Sequence, residues 1–175
     1  MNKKILFKAI EWGLIVFISF NMIVYGGAKF AHFRPTADYN ISVSEMTGHE
    51  LMWAFYGYAV AYPIILGIFE ILGAVCLLFY RTRLFGALLL SIMLFNIILQ
   101  DYFYKIIALN TAIVFQILVF IILWFDRERI KELVGSLFRT NNSAIAFSRK
   151  EYIILAFSII IVLGLLILMK ILFHI

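Results

Sequence analysis

The sequence predicts an all-α protein, a polytopic bundle of membrane helices with its N-terminus in the cytoplasm and its C-terminus outside. Three observations carry that class. Of 175 residues, 65% are hydrophobic and only 14% charged, with a mean hydropathy of +1.02, a composition that no ordinary soluble domain has. The apolar residues fall into five blocks, about 9–29, 52–80, 84–104, 106–125 and 152–172, each of a length that spans a bilayer. The basic residues are also asymmetric. With the N-terminus inside, the cytoplasmic segments hold Lys3, Lys4, Lys8, Arg81, Arg83, Arg127, Arg129, Lys131, Arg139, Arg149 and Lys150. The outer ones hold only Lys29, Arg34, Lys105 and Lys170, and positive charge retains loops on the cytoplasmic side.

The net charge of +5 is therefore read as span orientation, and nucleic acid is not an expected partner. A lone Cys76 excludes an intramolecular disulfide, a CxxC redox pair and a cysteine zinc site. Walker, Rossmann, HExxH and GxSxG patterns are absent, which argues against the nucleotide-dependent and classical hydrolase classes. No catalytic residue and no cofactor motif stands out.

Taken in order, the first block follows Lys3, Lys4 and Lys8 and ends at Gly26-Gly27-Ala28, small residues that would suit a signal peptidase. Glu11, Trp12 and the full-span length argue instead for an uncleaved first helix. The loop at 30–51 contains His32, Arg34, Asp38, His49 and Glu50. Thr47 and Glu50 have capping-box spacing, so the second span should begin near Gly48. His32 and His49 lack a third ligand at the usual spacing, and no metal is expected.

The second block is long enough to be tilted or to begin above the membrane. The third and fourth are divided only by Gln100, Asp101, Lys105 and Asn110, which should hold the turn. Beyond Asp126, Ile130, Leu133, Val134, Leu137 and Phe138 recur at helical spacing among Arg127, Arg129, Lys131 and Arg139. That pattern describes a basic amphipathic helix on the inner membrane surface, or a docking face for a soluble partner. Asn141-Asn142-Ser143 should end it. The domain reading is a membrane core over 1–126, a cytoplasmic connector over 127–150 and a C-terminal transmembrane helix over 151–175.

Glu70 is the residue around which function is sought, because an ionisable group inside a span is costly and marks a site. At about 1.5 Å of rise per residue, Glu70 lies about 16 Å from Arg81 and Asn21 about 20 Å from Lys8. Asn96 lies about 20 Å from Arg83, and Gln116 about 15 Å from Asp126. Four helices thus each place one polar side chain near the midplane. Pro63, Gly67, Glu70, Ala74 and Leu77 share a face, whose small residues let neighbouring helices come close. Asn21, Tyr25 and Lys29 form one i, i+4 stripe, and Asn96 and Gln100 another that leads to Asp101. The ligand-binding candidates are therefore Glu70, Asn21, Asn96, Lys29, Tyr25, Gln100 and Gln116, with interhelical packing as the competing role for each amide. Arg127, Arg129, Lys131 and Arg139 are the membrane-surface candidates.

Gly26-Gly27-Ala28-Lys29 resembles the GxxK element of DoxX-like membrane proteins. Glu70-Ile71-Leu72-Gly73-Ala74, followed by Leu77-Leu78-Phe79-Tyr80-Arg81-Thr82-Arg83 and Gly86-Ala87-Leu88, resembles the E-x-x-G-(G/A) signature and its continuation in that family. The resemblance covers about residues 10–130 and implies a four-helix membrane core, here extended by a fifth C-terminal span. It also implies a redox-associated subunit of a bacterial inner membrane that binds quinone or another small amphiphile around Glu70. Two alternatives stand beside it: a small proton-coupled transporter, and a scaffold recruiting a partner through the basic helix at 126–140.

Overall fold

The computed structural model describes residues 3–33, 35, 40–138 and 149–173. Among them the regular structure is helical: α1 (Lys3–Ala28), a 3-10 turn (Val43–Glu45), α2 (Gly48–Tyr58), α3 (Ala61–Leu78), α4 (Arg83–Phe103), α5 (Leu109–Phe125), α6 (Arg127–Leu137) and α7 (Arg149–Phe173). Helices α1, α3 and α4 are each long and apolar enough to cross a membrane. The apolar helix α5, from which α6 bends by 77°, brings the crossings to four when the bent pair is counted as one span. The 17 residues of α5 alone reach about 25 Å, a little under the hydrocarbon thickness. The chain is thus a multi-pass membrane protein.

The chain divides into two units, Met1–Leu137 and Phe138–Ile175. In the second, α7 is a 25-residue helix with a described apolar stretch at Tyr152–Gly164. Arg139 and Asn141 to Ser143 lie outside the described residues.

The long second block does not form one helix. It breaks at Ala59, whose φ of −133° and ψ of 77° are not helical, so residues 52–58 belong to the separate helix α2. Pro63 explains the position. In a continuous helix its missing N–H would leave the Ala59 carbonyl unbonded and its ring would strike that oxygen. Tyr62 instead donates to the Ala59 carbonyl at 2.8 Å. The capping box at the start of α2 is present: Thr47 accepts from the Glu50 amide, and Glu50 from the Thr47 amide.

The turn between α4 and α5 falls within the polar cluster, as expected. Gln100 and Asp101 lie in the last turns of α4, and the chain reverses at 104–108. Lys105 takes a positive φ of 55°, while Ile106 donates to the Asp101 carbonyl at 2.8 Å and Lys105 to that of Tyr102 at 3.4 Å. This is a Schellman ending with lysine where glycine is usual.

In the first unit α3 packs between α1 and α4, α4 packs on α5, and α5 returns to α1, which closes a four-helix ring. Its core is Ile15, Ile18 and Met22 of α1, Ala74 and Leu77 of α3, Leu90 and Leu94 of α4, and Phe115, Val119 and Ile122 of α5. Two glycine contacts set the helix spacing. A Cβ on Gly26 would lie 2.6 Å from the Gly67 carbonyl oxygen, and one on Gly86 would lie 2.6 Å from that of Gly73. Without these hydrogens the backbones could not come so close, and close packing is what holds helices together in lipid.

The end of the ring nearest the N-terminus is tied by charge. Arg83 is buried and pairs with Glu11, its guanidinium 5.1 Å from the Trp12 ring and 5.4 Å from that of Tyr80. Arg129 at the start of α6 donates to the carbonyls of Tyr80 at 2.8 Å and Arg81 at 3.2 Å, fastening α6 to the turn between α3 and α4.

Candidate ligand cavity

The backbone contact of Gly26 with Gly67 places the end of α1 directly against α3. Three residues further along each chain stand Lys29 and Glu70, which form an ion pair. The Lys29 Cβ would lie 3.3 Å from a Cβ on Gly67, so glycine there leaves the lysine stem a path along α3 to the carboxylate. Glu70 is fully buried and the Lys29 side chain is 15% exposed. The second carboxylate oxygen of Glu70, Oε2, has no hydrogen-bond partner. A buried charge demands such a partner, and the pair meets only half of that demand.

Beside this pair is a cavity of about 360 Å³, within the range of small-molecule sites. Lys29, Glu70, Asn96, Gln100 and Asp101 supply its polar wall, and Tyr25, Phe33, Trp53 and Tyr56 its rings. Helix α2 covers it from the end opposite the N-terminus. Its first residue, Gly48, touches the Tyr104 backbone so closely that a Cβ would lie 2.5 Å from the Tyr104 oxygen. Its Tyr56 hydroxyl donates to Gln100 Oε1 at 2.5 Å. Burial pushes the Tyr56 phenol up to about 12, with the Gln100 bond acting in the opposite direction, so at neutral pH it remains a hydrogen-bond donor.

The ligand-binding candidates are divided. Glu70, Lys29, Tyr25, Asn96 and Gln100 share the cavity wall. Asn21 does not line it; its amide donates to the Phe17 carbonyl of its own helix at 2.8 Å. Gln116 also lies elsewhere, donating to Ser91 Oγ at 2.8 Å between α5 and α4, with its Oε1 unpartnered. Tyr25 sits edge-on to Phe115, with ring centroids 5.8 Å apart.

Asp101, Trp53 and Tyr56 belong to the wall without having been singled out as ligand candidates. Asp101 is 3% exposed and its Oδ2 has no partner. It was legible as the end of the Asn96–Gln100 stripe and as part of the polar cluster at the turn.

On α6, Arg127 stacks on Trp124 at 5.6 Å and pairs with Glu128 at 3.5 Å. Lys131 reaches the same carboxylate at 3.0 Å. Arg129 also pairs with Asp126 at 3.6 Å, so its charge is directed at the bundle. The two histidines meet on Trp53: the His49 ring stacks on it at 3.9 Å and His32 lies at 5.3 Å. Among the described residues no group of three metal-ligating side chains is found.

Fold and cavity together define a small multi-pass membrane protein with a partly charged chamber inside a ring of helices. Over 132 residues, 73% of this chain and 83% of the relative, it is 32% identical to the uncharacterized protein YwoB of Bacillus subtilis (strain 168). The chain belongs to the same family as that bacterial protein. No family model and no solved structure matches it.

Proposed function

We propose that this protein is a DoxX-like membrane subunit whose cavity binds the polar head of a small amphiphile beside Lys29 and Glu70. The observation that carries the reading is the fully buried Glu70, with an unpartnered oxygen, in the wall of a largely apolar chamber. An apolar residue at this position would be far less costly, and a bound head group supplies what the carboxylate lacks. The resemblance of Gly26 to Lys29 and of Glu70 to Leu88 to DoxX-like proteins supports a quinone as a member of that ligand class. It also supports a redox complex as the setting.

The basic-residue asymmetry supports a cytoplasmic N-terminus and α6, with α7 crossing as a fifth span. The bacterial relative supports the inner membrane as the location. A second reading, a scaffold on the membrane surface, is favoured by α6, none of whose residues is buried.

The test is purification under ligand-retaining conditions, followed by extraction and mass spectrometry. Wild type should carry an amphiphile that Glu70→Gln, still folded by circular dichroism and gel filtration in the same detergent, does not retain. Equal retention by both, or an empty wild type, sinks the proposal.

A further inference from the structure

Counted as formal charges, the groups described on the cavity wall do not balance. Glu70 of α3 and Asp101 of α4 are 0% and 3% exposed, and each leaves one oxygen, Oε2 and Oδ2, without a partner. Among the described residues Lys29 is the one ammonium on that wall, and it bonds Glu70 Oε1. It acts on Asp101 through space but forms no ion pair with it. The other titratable groups on the wall are Tyr25, Tyr56 and His32. Tyr56 has its proton on Gln100, and His32 packs against the rings of Phe33 and Trp53.

Two carboxylates facing one lysine leave room for one more positive charge, and the two orphan oxygens call for N–H donors. The wall suits a bare metal ion poorly: hard cations take many oxygen ligands, and among the described residues no group of three metal-ligating side chains is found. The rings of Phe33, Trp53 and Tyr56 offer instead the faces that attract organic cations.

We infer that the cavity selects an amphiphilic organic cation, a protonated amine whose N–H groups meet Asp101 Oδ2 and Glu70 Oε2 while its apolar body lies among the rings. The inference rests on the reading of the cavity as an amphiphile site and chooses within that class by charge. Neutral quinones then bind more weakly than amines of similar size.

The full chain in phosphatidylcholine nanodiscs is titrated calorimetrically with 2-phenylethylammonium, its uncharged counterpart 2-phenylethanol, and a short-chain benzoquinone. Loss of one charged hydrogen bond corresponds to about tenfold or more in affinity. The ammonium should therefore bind at least about tenfold tighter than the alcohol, and Asp101→Asn should remove that preference while leaving the alcohol unchanged. Equal binding of ammonium and alcohol by wild type overturns the inference without recourse to any variant. A quinone that binds where the ammonium does not overturns the cation and leaves the amphiphile site standing. If none of the three binds, both fall.

Discussion

Lys29 and Glu70 form a pair in which each partner is tolerable only because of the other. Removing one end of a buried ion pair leaves an uncompensated charge, a loss of about 3–5 kcal/mol, whereas apolar replacement of both ends is often nearly neutral. Lys29→Met should therefore destabilise the ring by about 3 kcal/mol or more, and the double variant Lys29→Met with Glu70→Leu should recover most of it. Denaturant unfolding in detergent measures both, and a double variant as weak as the single one would show that the pair does not couple. Lys105 presents a smaller case. Its positive φ costs an L-residue roughly 1–2 kcal/mol, while glycine pays a smaller entropic cost. Lys105→Gly should accordingly raise stability by about 0.5–1 kcal/mol, seen as a higher melting temperature.

At this scale the sequence made some residues visible and hid others. Glu70, Lys29, Asn96 and Gln100 stand out because a polar side chain in an apolar run is expensive wherever it points. Asn21 and Gln116 stand out equally, yet a carbonyl of the same helix satisfies one and Ser91 bonds the other. Spacing cannot separate these cases, because the partner comes from tertiary packing. Trp53 and Tyr56 were hidden for the opposite reason: aromatic residues in an apolar block carry no signal until the chain folds α2 over the cavity.

Among the elements, α3 depends on glycine at two contacts. A Cβ on Gly67 would overlap the Gly26 carbonyl oxygen, and nothing lies within 4 Å of one on Gly13 or Gly27. Overpacking costs about 1–3 kcal/mol, whereas alanine in an open helical position gains up to about 1 kcal/mol over glycine. Gly67→Ala should therefore destabilise the protein and weaken the Lys29–Glu70 pair, while Gly27→Ala is neutral or stabilising. If the two variants unfold alike, the close approach is not what sets the helix spacing.

The break between α2 and α3 was legible in principle, since Pro63 marks the carbonyl four residues earlier, but hydropathy alone runs straight across it. The capping box could be read directly, and it brings a pH dependence. Bonds from Thr47 hold the Glu50 carboxyl below its ordinary value. A carboxylate with a depressed folded pKa stabilises fully above the unfolded value and loses that contribution as pH falls through the folded one. Amide exchange at Glu50 and Leu51 should thus accelerate on acidification through the carboxylate range, relative to its intrinsic rate. Thr47→Ala should abolish that dependence.

For the whole molecule, the decisive quantity is which side of the membrane the cavity serves. The ring places Lys3 and Ser44 at opposite ends of α1, and the cavity lies towards the Ser44 end, roofed by α2. Apolar length cannot distinguish the two orientations, because an inverted bundle buries the same surface. Only the distribution of Lys and Arg breaks the symmetry, and Arg129 shows that a basic residue on such a loop can also bind the bundle itself. With the single cysteine replaced by Cys76→Ser, a membrane-impermeant maleimide applied to intact cells should modify Ser44→Cys at once. It should reach Lys3→Cys only after the membrane is opened. The reverse pattern would turn the α2 end towards the cytoplasm, so that the chamber beside Glu70 would draw its ligand from inside the cell.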